Sequence, residues 1–276
     1  MRKRFKKIGL WYKYIPTALT IGNSLIGFAA ILNCLHLYGP AGESDWKGYL
    51  TRSAGLIIFA MVFDMLDGWA ARMLNATSEH GMQMDSLADM VTFGVAPAVL
   101  VAVMADNAFL DVVPKQIVWL MSAVFLACVA CRLALYNVLA MNPIPEGKPK
   151  SKSFHGLPSP GGAAAVCSMV LLLSLESSLG LIVQLLPWYV GVLGFLMVSP
   201  IPYFHVGKWL GSKRRNTVKI LVVIGVALCF KWEGILTTAI LVNGYVLSGP
   251  LYAIFRWLVP PAGPDDDELE EELVAE

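Results

Sequence analysis

The chain has 276 residues, 57% of them hydrophobic and only 15% charged, with a mean hydropathy of +0.62. A globular domain carries roughly 25% charged residues to cover its surface. A soluble enzyme of this length is therefore excluded, and lipid must be the solvent around most of the chain. The expected class is an all-α polytopic membrane protein.

The net charge of +1 conceals two unlike ends. Asp265, Asp266, Asp267, Glu268, Glu270, Glu271, Glu272 and Glu276 crowd the C-terminus. Residues 258–276 therefore read as a solvated, disordered acidic tail without chemistry of its own. At the other end Arg2, Lys3, Arg4, Lys6, Lys7 and Lys13 alternate with Phe5, Ile8, Leu10, Trp11, Tyr12 and Tyr14. Residues 1–14 thus form a basic amphipathic juxtamembrane segment, suited to anionic lipid with its aromatics at headgroup depth. No A-x-A-like site follows the first apolar run, so no cleaved leader is expected. The integral membrane domain fills 15–257.

A window of about 20 apolar residues per span places about eight helices. They lie near 16–38, 50–73, 84–104, 115–140, 161–176, 184–203, 217–231 and 235–257. Gly39-Pro40, Asp106-Asn107, Pro143 to Pro149, Glu176 to Ser178, Lys208 to Arg215 and Lys231 to Gly234 punctuate them. With the N-terminus inside, the six N-terminal bases, Arg72, Lys148, Lys150, Lys152, the five bases from Lys208 to Lys219 and Arg256 share one side. Only Lys47, Arg52, Lys115 and Lys231 fall opposite, so the turn after residue 73 is expected in the cytoplasm. Cys34, Cys128, Cys131, Cys167 and Cys229 all lie in apolar runs. The single Cys128-x-x-Cys131 pair lacks the second pair of a tetrahedral metal site, so the thiols are expected to pack as small apolar groups.

Few acids precede the tail, and four of them stand inside expected spans: Asp64, Asp67, Asp85 and Asp89. Carboxylates are costly in hydrocarbon, so each is a functional candidate. At 100° per residue Asp64, Asp67, Gly68 and Ala71 fall within about 100° of one another on one helical face. Gly81, Asp85 and Asp89 form a second stripe at intervals of four, and a short turn lets the two stripes face each other. Four carboxylates in one pocket repel unless a cation sits between them, and two hard divalent ions with oxygen ligands suit them. Gly68 and Ala71 leave room for a bulky group near the backbone, and Arg72 adds a cation able to grip phosphate with two N–H donors. Together these residues point to Mg²⁺ or Mn²⁺ holding a pyrophosphate. Helix-end carboxylates that merely face water are the bland alternative, and the regular spacing argues against it.

Asp64-Met-Leu-Asp67-Gly68-Trp-Ala-Ala71-Arg72, eight residues, then Gly81-Met-Gln-Met-Asp85-Ser-Leu-Ala-Asp89 resembles the signature of the CDP-alcohol phosphatidyltransferases, D-x-x-D-G-x-x-A-R…G-x-x-x-D-x-x-x-D. The resemblance implies a six-helix core, often dimeric, that displaces CMP from a CDP-linked substrate with a second alcohol. It implies that Asp64, Asp67, Asp85 and Asp89 bind two divalent cations, Mg or Mn, with Asp89 also the general base. It further implies that Gly68, Ala71, Arg72 and Gly81 hold the CDP portion.

The surroundings are similar to the membrane-spanning phosphatidylserine synthase branch of that family. The similarity runs through Asp85 to Ala98, Arg132-Leu-Ala-Leu-Tyr-Asn137, Phe154-His-Gly-Leu-Pro158-Ser-Pro160, Met197 to Tyr203 and the opening Ile15-Pro16…Thr20…Asn23…Gly27-Phe28. It covers roughly residues 15–257 and departs from the branch pattern at Leu135, Tyr136 and His205. It implies CDP-diacylglycerol as donor, L-serine as acceptor, membrane lipids and a second copy of the chain as partners, and no nucleic acid. The expected location is a bacterial inner membrane with the site facing the cytoplasm. Physical chemistry adds Arg132, the one base deep in an expected span, which suits a serine carboxylate or instead pairs an aspartate as structural glue. Asn137 and Ser159 are candidates to complete the acceptor pocket. Inositol, choline and glycerol 3-phosphate are alternative acceptors. Intramembrane prenyl transfer and divalent cation transport are more distant readings.

Overall fold

The structure is a computed structural model describing residues 14–38, 45–107, 113–141, 156–175, 180–201, 203 and 216–258. The basic segment before Tyr14, the acidic tail, Lys148 to Lys152, Phe154, His155, His205 and Lys208 to Arg215 lie outside the described residues. Every regular element among the described residues is helical. They are α1 (Ile15–Leu35), α2 (Trp46–Met73), α3 (Glu79–Asp89), a π-helical turn (Met90–Val95), α4 (Ala96–Asn107), α5 (Lys115–Met141), α6 (Ser159–Leu175), α7 (Gly180–Val198) and α8 (Asn216–Leu258). A 3-10 turn, His36–Tyr38, extends α1.

Among the described residues five segments are long and apolar enough to cross a bilayer: Ile15–Leu35, Trp46–Met73, Glu79–Ala105, Lys115–Met141 and Gly234–Leu258. Ser159–Ser174 and Gln184–Val198 are shorter apolar helices. The chain is thus a polytopic membrane protein. Many of its large apolar side chains point outward, as a lipid solvent allows, with Phe28, Trp119, Phe195 and Trp257 all exposed.

One expected break is corrected. Residues 217–231 and 235–257 belong to one backbone helix, α8, which runs through Lys231-Trp232-Glu233-Gly234. The segment holds no proline, and a lone glycine costs a helix only about 1 kcal/mol, too little to end it. At 1.5 Å per residue α8 is about 65 Å long, roughly twice the hydrocarbon thickness, so it is longer than a single crossing needs, and Gly234–Leu258 is its candidate span. Its C-terminal part runs antiparallel to α6, since Asn243 reaches Ser168 at 3.3 Å while Tyr245 abuts Gly161. The Tyr203 hydroxyl, just beyond α7, donates to Val246 O at 3.0 Å. The end of α7, the start of α6 and the last turns of α8 therefore share one end of the bundle.

Lipid tails are as apolar as leucine, so association depends on close backbone approach at small residues. Gly194 illustrates this on α7: a Cβ there would stand 3.0 Å from Phe125 Cα on α5. Ala54, Ala60, Ala163 and Ala165 are likewise buried on α2 and α6. Cys34 and Cys167 are buried as small apolar groups, whereas Cys131 is exposed on the outer surface of α5. Among the described residues every cysteine with a described side chain is a free thiol.

Candidate metal centre

The two acidic helices meet at a turn whose sequence dictates its shape. The last turn of α2 closes when Asn75 takes the left-handed conformation at φ +48°, which an asparagine tolerates better than most residues. The Asn75 N–H then reaches Arg72 O at 3.4 Å and the Ala76 N–H reaches Ala71 O at 2.9 Å, satisfying the terminal carbonyls. Three residues on, the Ser78 hydroxyl caps α3 by accepting from the Gly81 N–H at 3.0 Å. Glu79 follows in the first turn, where a negative charge favours the helix dipole. The chain reverses here with both helix ends satisfied.

That reversal brings the stripes together. Carboxylate oxygens of Asp64, Asp67 and Asp85 all lie within 4.8 Å of one another. Asp67 is buried and the other two are half-buried. Asp67 Oδ2 and Asp85 Oδ1 are shielded from solvent with no hydrogen-bond partner. Buried acceptors of this kind are costly unless something supplies positive charge. The donors are all carboxylate oxygens, the preference of a hard divalent cation such as Mg²⁺ or Mn²⁺ rather than of a thiophilic metal. These residues therefore fit such an ion.

Asp89 stands beside this trio rather than within it. It is buried, it faces Asp64, Asp85 and Asp67, and its Oδ1 accepts from Asn23 Nδ2 at 3.4 Å. Gly68 is half-buried, and no side-chain atom comes closer to the site of a missing Cβ than Arg72 Nη1 at 3.6 Å. That leaves open backbone beside the acids. Ala71 is half-buried next to it and Arg72 is exposed. Gly81 has its N–H committed to the Ser78 cap, so it offers a ligand space rather than a donor.

Among the described residues Arg132 makes no salt bridge with an aspartate, unlike Arg52 and Asp45, which pair at 2.8 Å at the exposed start of α2. Arg132 Nη1 instead donates to Met197 O at 2.9 Å, at the last turn of α7. A cation there answers the orphan carbonyls of a helix C-terminus. Gly156, at φ +20°, fits between them, since any Cβ would meet Arg132 Nη1 at 2.8 Å as well as Met197 O. Asn137 Oδ1 accepts from Ser86 Oγ at 3.0 Å, tying α5 to the residue after Asp85. Ser159 is buried at the start of α6. Asn23, together with Thr20 one turn earlier, entered the sequence reading only through the resemblance of the opening segment and was given no role in the site. Both are buried polar groups on α1, and polar residues within an expected span are the signal by which a sequence could have flagged them, though Thr17, Ser24 and Asn33 on the same helix share it.

A family model described as CDP-alcohol phosphatidyltransferase matches residues 13–198. The chain belongs to that family. It is similar to a Saccharomyces cerevisiae protein named CDP-diacylglycerol–serine O-phosphatidyltransferase, 37% identical over 152 residues, or 55% of this chain and 51% of that one. The match thus spans about half the length of the yeast relative. Proteins of the same name from Helicobacter pylori and Bacillus subtilis are 32% and 34% identical over 206 and 198 residues. Those matches cover 74% and 71% of this chain, and 78% and 92% of the respective relatives.

Proposed function

We propose that the protein transfers the phosphatidyl group of CDP-diacylglycerol to the hydroxyl of L-serine, giving phosphatidylserine and CMP. The observation that carries this reading is the convergence of Asp64, Asp67 and Asp85, with buried unpartnered oxygens, at the signature of the family. The naming of the relatives from yeast, Helicobacter pylori and Bacillus subtilis supports serine as the acceptor.

Asp64, Asp67, Asp85 and Asp89 would hold two divalent cations, Mg²⁺ or Mn²⁺, which when bound neutralise pyrophosphate charge and stabilise the departing CMP. The chain's own groups do the rest. Open backbone at Gly68, with Ala71, Arg72 and Gly81, accommodates the CDP portion, and the Arg72 guanidinium grips phosphate oxygens. The diacylglycerol tails enter sideways from the bilayer. Asp89 takes the proton as the serine oxygen bonds to the phosphorus carried by the lipid, and the bond from that phosphorus to CMP breaks. Positioning and charge stabilisation supply most of the acceleration.

Arg132 uses one of its five N–H donors on Met197, leaving others for the serine carboxylate. Asn137 and Ser159 complete that pocket. The side holding most of the bases faces the cytoplasm, the membrane is a bacterial inner membrane, and the working unit is a homodimer.

The test is purified protein with CDP-diacylglycerol, Mn²⁺ and a panel of serine, inositol, choline and glycerol 3-phosphate. Serine alone should yield a lipid product with stoichiometric CMP; product from another alcohol, with none from serine, would reassign the acceptor. Arg132→Leu is expected to raise the KM for serine about 10- to 100-fold, the worth of a charge-assisted hydrogen bond. The KM for CDP-diacylglycerol should stay within about threefold, and an unchanged serine KM would remove Arg132 from the acceptor pocket.

A further inference from the structure

Asn23 sits in the middle of α1 with no exposed surface, and an amide buried there is costly unless it is bonded. Its Nδ2 faces Asp89 Oδ1 at 3.4 Å. A carboxylate only accepts, so this amide orientation is the attractive one. The separation is longer than the usual N–H···O value of about 2.9 Å, and the contact fixes which carboxylate oxygen of Asp89 faces α1. Asn23 Oδ1 is left buried and without a partner. A buried acceptor without a partner is a cost that packing for stability alone does not explain.

The backbone is arranged to hold Asn23 in this register. Immediately after Asp89 the chain winds as a π-helical turn, a feature frequent at functional sites because it redirects the side chains around it. Thr92 in that turn donates its hydroxyl to Asn23 O at 3.1 Å. One turn along α1, Gly27 lets the helices close on each other, since a Cβ there would stand 2.9 Å from Thr92 Cα. The contact therefore joins α1 main chain to the turn that carries Asp89, and Asn23 is the side chain it delivers.

We propose that Asn23 is a positioning residue for the transfer reaction: it holds Oδ1 of Asp89 so that the second carboxylate oxygen meets the attacking hydroxyl. The inference rests on Asp89 being the base in the reaction proposed above.

The test compares wild type, Asn23→Ala and Asn23→Asp as full-length purified protein, with CMP release followed against serine, CDP-diacylglycerol and Mn²⁺. Loss of an orienting partner of this kind typically costs 10- to 100-fold. Asn23→Ala should therefore lose kcat by about 10- to 100-fold, while the KM for CDP-diacylglycerol and the half-saturating Mn²⁺ stay within about threefold. Asn23→Asp keeps the shape but replaces the donor with a like charge, and should lose at least as much kcat at saturating Mn²⁺. If the alanine variant does not fold, the aspartate variant decides. Wild-type kcat in either variant would overturn the proposal. So would a loss in Asn23→Ala that saturating Mn²⁺ restores, because Asn23 would then be a cation ligand itself. No CMP release from the wild type with any alcohol would remove the underlying reaction instead, an outcome distinct from both.

Discussion

Asp85→Ala is expected to lower CMP release by at least about 1,000-fold while leaving the amount of protein in the membrane unchanged. The first half follows from the cluster: Asp85 is one of three carboxylates within 4.8 Å, and its Oδ1 has no partner within the protein. Losing charge stabilisation worth several kcal/mol at about 1.4 kcal/mol per factor of ten gives a loss of this size. The second half follows from the same geometry. Like charges crowded in a low-dielectric pocket repel, so deleting one relieves the ion-free fold rather than weakening it. Thermal unfolding in detergent separates the two effects. Mn²⁺ should raise the midpoint of the wild type through binding to the native state and should do so far less for Asp85→Ala. Retained turnover in this variant would overturn the assignment of the cluster.

Asp89→Asn should behave differently. Asp89 lies outside the tight trio and accepts from Asn23, and its amide analogue still offers a cation one oxygen, so it should keep most of the Mn²⁺-dependent stabilisation. Its kcat should nonetheless fall about 100- to 10,000-fold, the usual contribution of a positioned base, because an amide does not take the proton of the attacking hydroxyl in the proposed reaction. Saturating Mn²⁺ should not restore it. Near-normal CMP release together with full metal binding would show that the proton goes elsewhere. A loss restored by excess Mn²⁺ would make Asp89 a ligand first and a base second.

The acids were legible because each is an expensive exception in its surroundings. In a chain with 15% charged residues, an aspartate inside a span needs a reason, and spacings of three and four residues state which helix face it occupies. The reversal between the acidic helices was expected from the short gap between the spans, but the parts played by Asn75 and Ser78 in ending one helix and capping the next emerged only from the structure. The interruption read at Lys231 to Gly234 failed for a related reason: charges and one glycine discourage a membrane span without stopping a helix, and no proline stands there to do so.

Arg132 shows a different boundary. Its burial called for a partner, but the partner is a main-chain carbonyl of Met197, 65 residues away. Every residue has such a carbonyl, so no side-chain pattern announces which one will be used. The π-helical turn after Asp89 is equally silent, because Met90 to Val95 reads as ordinary apolar helix.

From the sequence alone came the membrane class, the two acidic stripes, the tight turn between them and the family they resemble. All of these are local properties, repeated at the helical period or written within a few dozen residues. Only the tertiary structure decided that three carboxylates form a close group while the fourth is held by Asn23, 66 residues away. That choice depends on how closely two backbones approach at Gly27 and Thr92, a matter of packing between helices that the periodicity of either one cannot encode.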